Sequence, residues 1–478
     1  METISPIENS SLEEIEHKFH RTREASEIWK KYPLSERIRL LRLVWNQILK
    51  RKEDLIAVLH QETGKPVDEI ETIEIGGINF IFKYFSRNAS RILRDQPAPA
   101  PWIFFNKRAY IRYVPRGVVG LITPWNVPLL TPFGDAIPAL IAGNAVVLKP
   151  SEWTSQTALF IERMFISSGL FPDGLFRVLV GDGKVGEAVI ERSDMVVFTG
   201  STRTGRKVAI KAAELLKPAV LEMGGKHPMI VLKDASLQRA VKAAVWGGLA
   251  NCGQLCVGVE RIFVENEIYP SFVDMVRQEV QTLRQGLSIS EEVDLGRLIF
   301  PSQLEVIRLH LEDAKEKGAE VTGGDILDDK KLMIRPAVVA NARPDMLVMQ
   351  QETFGPVLPI MPVSSPEEAL HLANLSPLGL SASIWTSDIS KAENLTRHIE
   401  AGVIGINDLL SHYVICSLPF GGFKQSGFGR RHGEEGLRQF CQSQSVLIHE
   451  WPSQAPELWW FPYERWKTRL ISFLNRLA

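Results

Sequence analysis

Along the first hundred residues the apolar positions recur at helical spacing. In LSERIRLLRLVWNQILKRKEDLIAVLHQE, Leu41, Val44, Trp45, Ile48, Leu55, Val58 and Leu59 share one face with charges between them, and the spacing predicts helices through residues 11–94. From Gly117 the pattern changes. Short continuous apolar runs at 117–122, 145–149, 176–180, 195–198 and 218–223 alternate with helical stretches near 132–142, 155–168, 184–192 and 203–215. Strands apolar on both faces and joined by helices predict a buried parallel sheet. A second alternating series predicts strands at 260–264, 357–363, 380–386 and 403–407, with helices at 268–284, 302–317, 366–375 and 388–400, hence a second α/β domain. KRAYIRYV, 107–114, alternates up to Pro115 and reads as a hairpin arm, for which QSVLIHE, 444–450, offers a pairing partner.

The end of the chain has a different texture. Trp459, Trp460, Phe461 and Tyr463 precede a helical pattern that puts Trp466, Leu470, Phe473, Leu474 and Leu477 on one stripe and Arg465, Lys467, Arg469 and Arg476 elsewhere. Such a stripe docks on the protein body or a neighbouring subunit, which is the plainer expectation, or it lies in a membrane interface.

Composition narrows the class. A chain of 478 residues exceeds one ordinary core, and 45% hydrophobic with 23% charged residues is typical of a soluble globular enzyme. A net charge of −1 gives no general attraction to nucleic acid. Four cysteines, Cys252, Cys256, Cys416 and Cys441, are too few for a disulfide framework and fit a reducing compartment. The acidic amino terminus lacks the apolar run of a secretory signal, and no stretch has the roughly 20 apolar residues that span a bilayer. A cytoplasmic protein is expected, with peripheral membrane contact confined to the tail.

Open parallel sheets bind ligands beyond the carboxyl ends of their strands. There the chain places Thr123-Pro124-Trp125-Asn126, Lys149-Pro150-Ser151-Glu152, Thr199-Gly200-Ser201 and Glu222-Met223-Gly224-Gly225-Lys226. FTGSTRTG, 198–205, runs from a strand into a helix whose exposed amides suit a phosphate, or it is a tight turn. Glu152, beside Lys149, suits ribose hydroxyls and would repel a ribose phosphate; the plainer reading is a solvated loop pair. Glu222, desolvated at a strand end, suits a base, or a cap. Asn126 suits an oxyanion donor with the Cys256 backbone amide, or a turn. Cys256, after the small-residue run GGLANCGQ, is a nucleophile if its thiolate is favoured and an inert small side chain otherwise.

Together these segments resemble the NAD(P)-dependent aldehyde dehydrogenase superfamily over nearly the whole length. The carrying residues are PWN at 124–126, KPSE at 149–152, FTGS with Gly205, LEMGGK at 221–226, GQLC at 253–256, ETFGPV at 352–357 and PFGGFKQSGFGR at 419–430. The resemblance implies an α/β fold with a Rossmann-like cofactor domain (1–223, with an arm at about 104–116), a catalytic α/β domain (224–436) and a small β oligomerisation strand region (437–450); the aromatic and basic tail (451–478) lies beyond the family's usual motifs. It implies Cys256 as nucleophile, Glu222 as base and Asn126 in the oxyanion hole. Thr123, Trp125, Lys149, Ser151, Glu152, Gly200, Ser201, Gly224, Glu352 and Phe354 are the implied contacts to NAD, with NADP as the alternative; no metal is implied. It also implies a homodimer or homotetramer. Glu222 favours water over coenzyme A as the acyl acceptor, and the intact Cys256, Glu222 and Asn126 argue against a silent structural protein. His227 departs from the family's usual Ser or Asn and reads as a packed histidine.

Relatives line their substrate tunnel with aromatics after PWN and before PFGG. Here those neighbourhoods hold Val127, Thr131, Gly134 and Val414, with Phe420 as one surviving aromatic wall and no Lys or Arg to receive a carboxylate. The expected substrate is a small-molecule aldehyde that is apolar, aromatic or of medium to long chain.

Overall fold

The computed structural model describes residues 8–451 and 456–476. The amino-terminal helices are Leu12–Trp29, Leu34–Lys50, Lys52–Thr63 and Gly76–Leu93. Leu41, Val44, Trp45, Ile48, Leu55 and Leu59 are buried, as their spacing requires. They share a core with helix Leu130–Ala142 and with Val146, Leu148 and Val178 of the first sheet.

That sheet has five parallel strands in the spatial order Ala219–Glu222, Met195–Thr199, Val118–Ile122, Ala145–Lys149 and Phe176–Val178. Gly427–Phe428 adds an antiparallel edge, Gly427 opposite Glu222. The glycine-rich segment read as a loop therefore returns to the first sheet. Ser426 clamps it there: its hydroxyl donates to Gly224 O at 2.7 Å and its carbonyl accepts from Met223 N at 2.9 Å.

The second sheet runs Glu320–Thr322, Ala337–Ala340, Val357–Val363, Val259–Glu265, His227–Val231, Ser381–Trp385 and Val403–Ile406, parallel except for its first pair. Sequence reasoning finds four of these seven. His227–Val231 escapes it because Pro228 reads as a breaker, and the strand accommodates the proline through a register shift at 227/228. Glu320–Thr322 and Ala337–Ala340 are too short to stand out as runs.

The arm, Lys107–Pro115, pairs antiparallel with Cys441–His449 over nine positions, Tyr110 opposite Val446. Gln96–Ala98 covers its other edge. Helix Arg465–Leu474 in the tail has no buried residue, so Trp466, Leu470, Phe473 and Leu474 do not dock on the body of their own chain; Leu477 lies outside the described residues. Among the described residues no helix is long and apolar enough to cross a membrane.

Candidate active site

Cys256 is presented by a backbone that the helical spacing of 252 and 256 does not foreshadow. Helix Leu237–Leu249 stops, and Asn251, Cys252 and Gly253 follow with φ of 53°, 55° and 73°. Two non-glycine residues in the left-handed region cost free energy and persist only where their surroundings hold them. Asn251 Nδ2 donates to Asn126 O at 2.9 Å and Gln254 O at 3.1 Å, and Gln254 Nε2 donates to Asn251 O at 2.8 Å. At 253 only glycine fits, since a Cβ would stand 2.1 Å from Gly355 O.

The same turn fixes Asn126, whose Nδ2 donates to Gln254 O at 2.8 Å. An amide nitrogen carries two hydrogens, so one remains for a ligand. Asn126 and Cys256 both line a cavity of about 530 Å³. Glu222 lines it too, 2% exposed, and neither of its carboxylate oxygens has a protein hydrogen-bond partner. Burial pushes the Glu222 carboxyl up to about 8, with the Arg431 charge opposing and the Asp135 charge adding to the rise. Cys256 keeps part of its surface open to the cavity, yet protein surrounds it. Burial pushes its thiol up to about 12, the Glu222 and Glu352 charges add to this, and Arg431 opposes it. Without a further cation the thiol is therefore neutral near pH 7.

The expected cofactor residues fall into two groups. Trp125, Gly200, Ser201, Gly224, Glu352 and Phe354 line the cavity with Cys256. Thr123, Lys149, Ser151 and Glu152 do not; they follow the neighbouring strands Val118–Ile122 and Ala145–Lys149. Lys149 is buried, its ammonium 3.4 Å from the exposed Glu152. Ser201 caps helix Thr202–Glu214 by accepting from Thr204 N, and the first amides of that helix suit a phosphate. Thr123 Oγ1 is buried without a partner, and Glu352 accepts from one backbone amide, Gly225 N at 3.0 Å. Unfilled acceptors, a cation and a helix start along one row of strand ends fit a dinucleotide. Gly224 admits Glu352 at close range: a Cβ there would lie 2.4 Å from Glu352 Oε2.

Glu352 has a support that sequence reasoning did not identify. Lys226 and Glu260 form a buried ion pair at 2.5 Å, and Glu260 accepts from Thr353 N at 2.9 Å and Phe354 N at 2.7 Å. Phe354 meets Trp125 edge-on at 5.4 Å, and Trp125 stacks on Phe300 at 5.8 Å. His227 is packed as expected: one ring nitrogen bonds Val257 O and Ser381, the other Ser383, and burial lowers it to about 3.

On the substrate side Val127, Thr131, Val414 and Phe420 line the cavity. Gly134 does not; it packs beneath Ile81, where a Cβ would come within 3.0 Å of Cδ1, so it belongs to the core. Phe420 has aromatic company: Phe80, Trp246 and Tyr413 line the cavity as well. Phe80 comes from the helix after the π-helical turn Ile70–Ile75, a segment read only as packing.

A cation does reach the cavity, from outside the two neighbourhoods searched for one. Arg431 is buried, pairs with Asp135 at 2.6 Å and donates to Thr199 Oγ1. Its backbone exchanges two hydrogen bonds with Phe420, which fixes both side chains at the cavity. The sequence shows two adjacent arginines; Arg430 instead bonds carbonyls of its own loop, and only the fold distinguishes them.

Comparison with known proteins shows the family and the fold. The profile of the aldehyde dehydrogenase family matches residues 1–446. A 4,4'-diapolycopene aldehyde oxidase of a Methylomonas species is 39% identical over 96% of this chain and 85% of its own length. A putative NADP(+) succinate-semialdehyde dehydrogenase of Mycobacterium ulcerans is 35% identical over 93% and 86%. A Mycobacterium tuberculosis aldehyde dehydrogenase solved with NAD+ superposes with a TM-score of 0.87 at 33% identity, over 92% of this chain and 91% of that one.

Proposed function

The chain belongs to the aldehyde dehydrogenase family, and from that premise we propose that it oxidises an apolar aldehyde to the carboxylic acid, with Cys256 as nucleophile. The oxidation is NAD(P)-dependent. The Cys256 thiolate forms a C–S bond to the aldehyde carbon, and the carbonyl π pair becomes an alkoxide. The remaining Asn126 N–H and the Cys256 backbone N–H meet that oxygen, a contribution of about 3 kcal/mol to the transition state in comparable sites. NAD(P)+, when bound, supplies the acceptor for the hydride that leaves as the C=O bond re-forms, and its charge favours the thiolate. An acyl thioester remains on Cys256. Glu222 then takes a proton from water, whose oxygen adds to the acyl carbon; the C–S bond breaks and the acid leaves.

The observation carrying the substrate reading is the wall of the cavity. Phe80, Val127, Leu130, Trp246, Val414 and Phe420 offer apolar surface, and among the described residues the one guanidinium in the lining, Arg431, is committed to Asp135. A substrate carboxylate would compete with that buried pair. The names of the two relatives point to different aldehydes, and the apolar lining is what supports this reading. Values of kcat/KM for straight-chain aldehydes from two to twelve carbons and for benzaldehyde should rise with apolar area by roughly 0.8 kcal/mol per buried methylene until the cavity is full. A kcat/KM highest for succinate semialdehyde or betaine aldehyde would overturn the reading.

Two finer points follow. Glu152 favours NAD over NADP because its carboxylate would stand against a ribose phosphate. The strand Cys441–His449 ends its sheet with an edge that no described strand covers, and we propose that a second copy of the chain covers it in a homodimer or homotetramer.

A further inference from the structure

The oxidation chemistry leaves the tail without a role, and the structure joins that tail to the tip of the arm. Lys107 pairs with Glu457, and its ammonium lies 5.9 Å over the Trp459 ring. Phe104 meets Trp459 edge-on at 5.5 Å, and Phe105 meets Trp451 at 5.0 Å. Two segments more than 340 residues apart thus build one aromatic surface. It is open to solvent: Phe105 is 67% exposed, Phe461 78%, Tyr463 73% and Phe473 60%, with Trp460 and Trp466 also exposed. So many exposed aromatic side chains gathered on two touching segments mark an interaction site.

Its charges indicate the partner. Of the two acidic side chains in the tail, Glu457 is tied to Lys107 and Glu464 lies 3.2 Å from Lys467. Among the described residues Arg465, Arg469 and Arg476 have no ion-pair partner. The surface therefore presents aromatic side chains amid uncompensated positive charge. We propose that the arm tip and the tail together seat the protein on an anionic lipid surface. The aromatic side chains enter the boundary between headgroups and acyl chains, where an amphipathic helix rich in Trp and Phe lies in the plane of the bilayer, and the three arginines face lipid phosphates. A two-fold contact with a second copy through the same face would set those arginines against each other. The surface does not depend on which aldehyde is oxidised, although lipid seating would bring the apolar cavity to where apolar aldehydes dissolve.

Flotation with vesicles tests this directly. The full chain should float with vesicles containing phosphatidylglycerol at low salt, and bind at least about tenfold less to pure phosphatidylcholine or at about 0.5 M salt. A chain ended after Gln454 should lose at least about tenfold in binding, as should the full-length variant Trp466→Glu/Phe473→Glu. Both should oxidise a short, water-soluble aldehyde at the parent rate, which separates this outcome from failure of the substrate reading. Should the shortened chain be inactive on that aldehyde, the double variant decides. Absence of flotation by the full chain, equal flotation by the double variant, or a truncation that changes molar mass in light scattering but not flotation would overturn the proposal.

Discussion

Glu222→Gln separates the two halves of the proposed reaction and exposes what the site costs the fold. The thioester-forming half does not need the Glu222 charge, which opposes the Cys256 thiolate. The variant should therefore release one NADH per subunit in a rapid burst. Steady-state turnover, which needs water activated by Glu222, should then fall by about 10²–10⁴. The stability consequence has a definite sign. The carboxyl is held at about 8 in the folded protein against an ordinary 4.5. The folded protein thus binds a proton that the unfolded chain releases, and stability falls as pH rises from 4.5 through 8. The full difference corresponds to about 5 kcal/mol as an upper bound. A chain of this length unfolding as one unit loses about 1 °C in Tm per kcal/mol. The glutamine amide carries its own burial cost at every pH. What should change with pH is the Tm gap between variant and parent, moving by up to about 4 °C in favour of the variant between pH 5 and pH 9. Stopped-flow NADH absorbance and calorimetry at the two pH values measure both effects. A variant with no burst, or with unchanged steady-state turnover, would refute the assignment of Glu222 to the second half; a pH-independent Tm gap would refute its buried, proton-binding state.

The same frame fixes two further outcomes. Asn126→Ala should lower kcat by about 10²–10³ with little change in KM, because its free N–H meets charge only in the transition state; a change confined to KM would place Asn126 in substrate binding instead. Arg431→Gln leaves Asp135 buried without its ion-pair partner, at a cost of about 3–5 kcal/mol, and removes the cation that holds Glu222 down. The rising limb of the kcat–pH profile should move to higher pH, which a purely structural role would leave in place.

Periodicity and motif order made much of this legible in advance. Continuous apolar runs marked the parallel strands, and glycine, Asn126 and Glu222 at their carboxyl ends marked the crevice. What stayed hidden depended on distant contacts. Cys256 sits at the end of a strained turn held by Asn251 and Gln254, which read as ordinary polar residues until their shared partner Asn126, 125 and 128 positions away, is known. The Lys226–Glu260 pair ties strand Val259–Glu265 to the residue just before strand His227–Val231, which begins with a His-Pro step that no strand pattern suggests. Arg431 looks equivalent to Arg430 in a glycine-rich string, and only its burial against Asp135 separates them. The tail's aromatic stripe was plain, but the arm tip that completes its surface could be found only by folding the chain.

The most direct test of the account is the covalent intermediate. Glu222→Gln protein mixed with NAD+ and decanal, quenched after the burst and digested, should carry a decanoyl mass on the peptide containing Cys256, with fragmentation placing it on that sulfur. NADH formed in the burst with Cys256 unmodified, or with the acyl group on the buried Cys252, would contradict it.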